Sequence, residues 1–324
     1  MSLLDKVPGD LRLYIGGLFT LRRKQALQEA NITHVLSVLK LPLDQGLFRD
    51  FRHMVVEVDD DDDEDLLQHF PATNQFIQEG LDGGGGVLVH CAMGKSRSAT
   101  CVVAFLMQKY LISPSEALDQ IQQSRPSCDP NEGFKAQLEL YHRMNYPKNV
   151  EESYQYQKWL YQREVEASNV TGQAPEADKI VFEDELSSPQ CASVEFELRC
   201  RKCRRALANS GYLVRHVPTG INWDEDGMTI DSSEPSPSGC AHHFVEPLSW
   251  MRSELEQGKL DGRLECPKCK TNVGKYAWQG MQCSCGHWVV PGISLTKSRV
   301  DEVKPRREAT ATMRIRKPPG SQNL

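Results

Sequence analysis

Through the first half of the chain, short apolar blocks alternate between the strand period and the helix period. Residues 11–15 alternate apolar and polar positions before Gly16-Gly17, which predicts a strand ending in a turn. Leu21, Ala26, Leu27 and Ala30 then follow at helical intervals, with Thr20 placed to cap a short helix over 20–30. The β-branched run 32–38 predicts a buried parallel strand, and 54–58 predicts the next one. Residues 66–81 bring Leu67, Phe70, Asn74, Ile77 and Leu81 near one helix face, and the glycines at 83–86 break it. Val87-Leu88-Val89 predicts another buried strand, and from Ser96 the pattern turns helical again through Ala99, Val102, Val103 and Leu106. Ser113-Pro114-Ser115-Glu116 is a capping box for a helix running to about Ser124, before Pro126. Pro130-Asn131 opens one more, and the charged, aromatic stretch 151–166 predicts a last helix packing on this domain. Strands and helices in this order predict an α/β fold with a central, mostly parallel sheet flanked by helices.

Beyond residue 166 the pattern changes. Asn, Gly, Pro, Glu and Ser dominate 167–190, so a linker is expected over 166–192 between a first domain at 1–165 and a second at 193–302, with a basic flexible tail at 303–324. The 324 residues suffice for two domains. Residues 1–190 hold 18 Lys and Arg against 29 Asp and Glu, whereas 191–324 hold 20 against 15, so a polyanionic partner is to be sought in the second half. Tail residues Lys304, Arg306, Arg307, Arg314, Arg316 and Lys317 make RNA contact a fair expectation. No apolar run is long enough for a membrane span, and the first residues lack a secretory pattern. The eleven cysteines therefore read as thiols and metal ligands of a reducing compartment.

Seven of those cysteines lie between 200 and 285. Thiol pairs two residues apart form corners of a tetrahedral site. Cys266, Cys269, Cys283 and Cys285 predict one all-sulfur site. Cys200, Cys203 and Cys240 predict a second, whose fourth ligand is a histidine or carboxylate, with His216, His242 and His243 as candidates. Full coordination leaves no open position, so such ions are structural, and little other core is expected to hold this half together. Residues 217–239, with an acidic cluster and Ser-Pro steps, read as a mobile insertion, and Cys191 as lying before the domain.

The chemistry of the first half concentrates in residues 87–100. His90-Cys91-x-x-Gly94-x-x-Arg97-Ser98 is a strand–loop–helix junction, where the backbone N–H groups of Ala92, Met93, Gly94, Lys95, Ser96 and Arg97 can curl around an anion. Such donors favour a thiolate, which makes Cys91 a candidate nucleophile. Arg97 can grip two oxygens of a phosphate, Gly94 permits close backbone approach, His90 orients the loop and Ser98 donates to the sulfur. The acidic run 59–65 reads mostly as a solvated loop, with one carboxylate placed to act as general acid.

The His90–Ser98 motif resembles the signature of cysteine-dependent protein phosphatases. The ending Ser96-Arg97-Ser98-Ala99-Thr100 resembles the dual-specificity subgroup, as does Pro130-Asn131-x-Gly133-Phe134-x-x-Gln137-Leu138. The resemblance implies a phosphocysteine intermediate on Cys91, no metal in the reaction, and phosphoserine, phosphothreonine and phosphotyrosine in proteins as substrates. It also implies that the acid sits a fixed interval before a Leu-x-x-x-Phe helix, which assigns Asp60, with Asp59 as runner-up. Asn131 would brace the catalytic loop. Lys95 reads as a surface lysine. A lysine there also occurs in phosphoinositide phosphatases, which keeps lipid or RNA phosphates as an alternative substrate class, the second domain then being only a structural or targeting module.

Phe196-Glu-Leu-Arg-Cys-Arg-Lys-Cys203, Trp250-Met251, Cys266-Pro-Lys-Cys269, Gly274-x-Tyr276-x-Trp278-x-Gly280 and Cys283-Ser-Cys285-Gly286 are similar to the zinc-binding half of the Yvh-type phosphatases, the dual-specificity phosphatase 12 family. That resemblance implies a cysteine-phosphatase fold followed by a small β-rich domain with two zinc ions, and His216, with His243 the alternative, as fourth ligand. It further implies a cytoplasmic and nuclear ribosome assembly factor. Its zinc domain would dock on the pre-60S particle, on rRNA and ribosomal proteins near the stalk base, and help release a placeholder factor there.

Overall fold

A computed structural model describes residues 4–186, 194–216 and 240–304. The chain divides into two compact units, Met1–Gln157 and Lys158–Leu324. Cys191, the insertion at 217–239 and the tail from 305 onward lie outside the described residues.

The first unit begins with β1 (Leu4–Lys6) and β2 (Leu13–Gly16), followed by α1 (Lys24–Glu29), β3 (Ile32–Val38), β4 (Arg52–Val56), α2 (Phe70–Asp82) and β5 (Gly86–His90). Helices α3 (Arg97–Tyr110), α4 (Pro114–Gln122) and α5 (Glu132–Arg143) complete it. The sheet order is β1-β2-β5-β3-β4, parallel except at β1. β5 is central and buried along its whole length, as its unbroken apolar run requires. The β3 run coincides with its strand, whereas β4 lies two residues earlier than the pattern placed it. The helix expected over 20–30 is broken into a 3-10 turn (Leu18–Arg22) and α1, because Arg23 departs from helical geometry and Thr20 is buried within the turn rather than capping. The Ser113–Glu116 capping box has both of its bonds.

The linker expectation over 166–192 is not what the structure shows in its described part. Helix α6 (Tyr154–Thr171) runs on past Gln157, and Tyr161, Val165, Ile180 and Phe182 are buried in the core of the second unit. Polar composition marks a surface, but these four widely spaced apolar residues suffice to anchor the segment.

The second unit is β-rich, with β6 (Glu197–Cys200), β7 (Ala206–Asn209), β8 (His242–Phe244), the short α7 (Arg252–Leu255), β9 (Asp261–Glu265), β10 (Asn272–Ala277), β11 (Met281–Gln282), β12 (Trp288–Val289), β13 (Gly292–Thr296) and β14 (Val300–Val303). Its sheets run β14-β6-β7, β8-β13-β10-β9 and β11-β12. Its core is larger than the sequence suggested: Leu198, Leu264, Val273, Tyr276, Trp278, Ile293 and Leu295 are all buried in one cluster, which scattered positions could not reveal before the sheets assemble them. Among the described residues no helix is long and apolar enough to cross a membrane.

Candidate active site and metal centres

Cys91 follows β5 directly and is 1% exposed. Gly94 N–H donates to its Sγ at 3.2 Å and the Ser98 hydroxyl at 3.3 Å. Burial pushes the thiol up, yet the Ser98 hydroxyl and the backbone N–H groups of Ser98, Lys95 and Gly94 outweigh it and hold Cys91 below the ordinary thiol value. The N-terminus of α3, which opens at Arg97, adds its partial positive charge to the loop. Gly94 has φ +70° and a Cβ there would meet the Gly16 carbonyl oxygen at 2.5 Å, so the loop accepts no side chain at this position. His90 is buried, its Nδ1 3.3 Å from the Cys91 carbonyl oxygen, and burial pushes its imidazole down to about 4. It is therefore neutral at neutral pH and orients the loop rather than charging it.

Ala92 and Met93 complete the turn of the loop: the Ala92 carbonyl accepts from Leu18 N–H at 3.0 Å, and the Met93 side chain is exposed. Lys95 keeps its side chain outside, 3.7 Å from Asp129, as a surface lysine would. Arg125, which sequence reasoning missed, holds the loop from below. Its guanidinium donates to the carbonyls of Gly94 and Met93, each at 2.8 Å, and to Asp5 at 2.6 Å. No local pattern around Arg125 announces partners 31 and 120 residues away.

The acidic run stands opposite. Arg97, 8% exposed, donates from Nη1 to the Val58 carbonyl at 3.1 Å and places Nε 3.7 Å from Asp60 Oδ2. That Nε is buried without a hydrogen-bond partner, a donor left for an anion in the loop. Asp59 instead lies 3.8 Å from Lys40. Helix α5 fixes the run: Asn131 Nδ2 donates to Asp60 at 3.2 Å, and buried Gln137 accepts from Leu66 and Leu67 N–H while donating to the Glu64 carbonyl. A Cβ at Gly133 would meet the Asp62 carbonyl oxygen at 2.1 Å, so only glycine allows this approach. Asn131 N–H also donates to Ser96 Oγ at 3.2 Å, so Asn131 touches both the acid run and the Cys91 loop.

In the second unit two sets of four ligands converge, Cys200, Cys203, Cys266 and Cys269 in one, His216, Cys240, Cys283 and Cys285 in the other, each with its donor atoms within 4.8 Å of one another. The predicted partition is thereby corrected: Cys266-Cys269 joins Cys200-Cys203, and Cys283-Cys285 joins Cys240. Spacing identifies a pair but not its partner, which is decided by how the strands leading into each pair assemble. His216 stands at the second site with Nε2 3.4 Å from Cys240 Sγ, whereas His243 faces Glu302 at 3.4 Å. Sulfurs at tetrahedral corners around a 2.3 Å metal bond lie about 3.8 Å apart. Cys200–Cys269 at 3.7 Å and Cys203–Cys266 at 3.5 Å fit that edge. The donor sets could thus each hold a metal ion with no corner left open.

The family model described as the dual specificity phosphatase catalytic domain matches residues 13–144. The class of the first unit is therefore that of dual-specificity protein phosphatases. Over 94% of this chain and 86% of its own length, tyrosine-protein phosphatase yvh1 of Schizosaccharomyces pombe is 35% identical, and dual specificity protein phosphatase 12 of Homo sapiens is 34% identical over 94% and 89%. The chain resembles the crystal structure of the Yvh1 phosphatase domain from Chaetomium thermophilum at 39% identity, covering 45% of this chain and 99% of that one with a TM-score of 0.43. The chain belongs to the Yvh1-type, dual-specificity phosphatase 12 family of protein phosphatases.

Proposed function

We propose that this protein phosphatase works through a phosphocysteine intermediate. The observation that carries the proposal is the buried Cys91 thiol, held below its ordinary value by the N–H and O–H donors of its own loop, with Arg97 of the same motif 3.7 Å from Asp60. The Cys91 thiolate forms a bond to phosphorus as the bond to the leaving oxygen breaks. Asp60 gives that oxygen its proton, and Arg97 with the loop amides of residues 92–97 holds the non-bridging oxygens. A water, deprotonated by Asp60, then displaces the Ser98-stabilised thiolate and releases phosphate. Asp60→Asn should lower kcat for alkyl phosphates about a hundredfold, while Asp59→Asn should leave it within about twofold. The opposite ranking would move the acid to Asp59.

For the second unit the proposed ligand is zinc, two structural ions, on the strength of sulfur-rich tetrahedral donor sets. Its proposed role is that of an assembly factor in 60S maturation, docking on the pre-60S particle near the stalk base and helping to release a placeholder factor. The family resemblance, the separate second unit with its two ligand clusters, and the excess of Lys and Arg over residues 191–324 support this reading. Cytoplasm and nucleus follow as the proposed locations. Full-length Cys91→Ser should still co-sediment with large-subunit precursors and Cys266→Ser should not; the reverse would exchange the roles of the two units.

A further inference from the structure

Behind the Cys91 loop, three polar side chains interrupt an otherwise apolar stretch of the sheet. Ser37 on β3 is fully buried and sits in register beside His90 of β5. Its hydroxyl oxygen lies 2.6 Å from His90 Nε2 and 2.8 Å from Nε2 of His53 on β4, the strand on the other side. His53 pairs with Val35, two residues from Ser37 and hence on the same face, and its ring stacks on Phe48 at 3.6 Å.

The Cys91 carbonyl assigns the direction of each bond in this row. The Cys91 carbonyl can only accept, so His90 Nδ1 carries the ring proton; with the imidazole neutral, its Nε2 must accept. The one hydroxyl proton of Ser37 therefore goes to His90. Ser37 oxygen then accepts from His53, which must carry its proton on Nε2. A serine alone could rotate its proton away. His53 removes that freedom, since an N–H aimed at the oxygen leaves the hydroxyl proton only the His90 direction.

We infer that Ser37 and His53 are positioning residues of the phosphatase site: in series they lock His90 in the Nδ1–H tautomer, and so hold the Cys91 carbonyl and the loop that surrounds the thiolate. The inference rests on the reading of Cys91 as nucleophile. Without the Ser37 proton, His90 can shift its proton to Nε2, and its Nδ1 lone pair then faces the carbonyl oxygen. The loop amides would turn from the sulfur, and the thiolate would lose donors.

The test compares full-length wild type, Ser37→Ala, His53→Phe, His53→Gln and the double variant Ser37→Ala/His53→Phe. The readouts are aryl phosphate turnover, the pH profile of iodoacetamide alkylation at Cys91, and nitrogen-15 histidine spectra. Wild type should show His90 protonated at Nδ1 and His53 at Nε2. Ser37→Ala and His53→Phe should each lower kcat about tenfold, the size of one lost hydrogen bond, with KM nearly unchanged and the alkylation profile moved to higher pH. His53→Gln, which keeps a side-chain N–H donor, should recover most of the loss, and the double variant should be no worse than Ser37→Ala alone, as expected for a series. A His90 ring protonated at Nε2 in wild type, or additive losses with an unmoved alkylation profile, would overturn the inference. Absence of turnover and of a reactive Cys91 in wild type would instead defeat the phosphatase reading on which it rests.

Discussion

Cysteine is used in two opposite ways in the two units of this chain. In the first, Cys91 is a solitary thiol whose neighbours at hydrogen-bond distance are N–H and O–H donors, so the site favours negative charge on one sulfur and waits for an anion. In the second, sulfurs face sulfurs at 3.5 and 3.7 Å, the edge length of a tetrahedral site that could hold a cation between them. Reactivity is thus a property of what surrounds the sulfur. Cys128, buried near the same loop and pushed up to about 12 chiefly by burial, makes the point from within the first unit.

The largest way to break this comparison is to strip any metal from the two ligand clusters of the second unit. Ligation by such sites contributes about 10 kcal/mol or more, as much as a whole domain's stability, so a strong chelator should abolish the thermal transition of the second unit. Aryl phosphate turnover by the first should persist. Loss of both together would mean that the units are not separately stabilised. Next in size, Cys91→Ser should reduce turnover by at least about a thousandfold with metal content unchanged, read by kinetics and elemental analysis on one sample.

A third test sharpens what burial does at the first site. His90 is held neutral in the folded chain, its value lowered from 6.5 to about 4, while the unfolded chain takes up its proton near 6.5. Stability from this residue is full above pH 6.5 and is lost as pH falls toward 4, by about 3 kcal/mol in all. Denaturant midpoints of wild type and His90→Asn across that window should therefore converge as pH falls; parallel curves would show that His90 titrates normally. Smallest is Gln137→Leu. Stranding the Leu66 and Leu67 N–H groups and the Glu64 carbonyl should cost about 2 kcal/mol in denaturant unfolding and lower kcat through the acid run.

The same contrast explains what could be read from the chain alone. Local features were legible: the strand before Cys91, the loop through Ser98 and the Ser113 capping box each depend on neighbours within a few residues. The seven cluster cysteines were also legible as a set, with the histidine singled out only through the family resemblance, but their division was not, since Cys266-Cys269 meets Cys200-Cys203 only after β6 and the β9–β10 strands are in place. Arg125, Ser37 and His53 carry no local signal because their partners are brought to them by the fold, and Gln137 was legible as a motif position but not as the residue that holds the acid run. The buried Ile180 and Phe182 were hidden inside a polar stretch for the same reason.

The central claim, that the solitary thiol and not the clustered ones does chemistry, is tested most directly by quenching wild-type turnover and locating cysteine-bound phosphoryl groups by mass spectrometry. The account predicts the phosphoryl mass increment on the peptide carrying Cys91 and on no other cysteine peptide. An increment on a cluster cysteine, or none on Cys91 during rapid turnover, would contradict it.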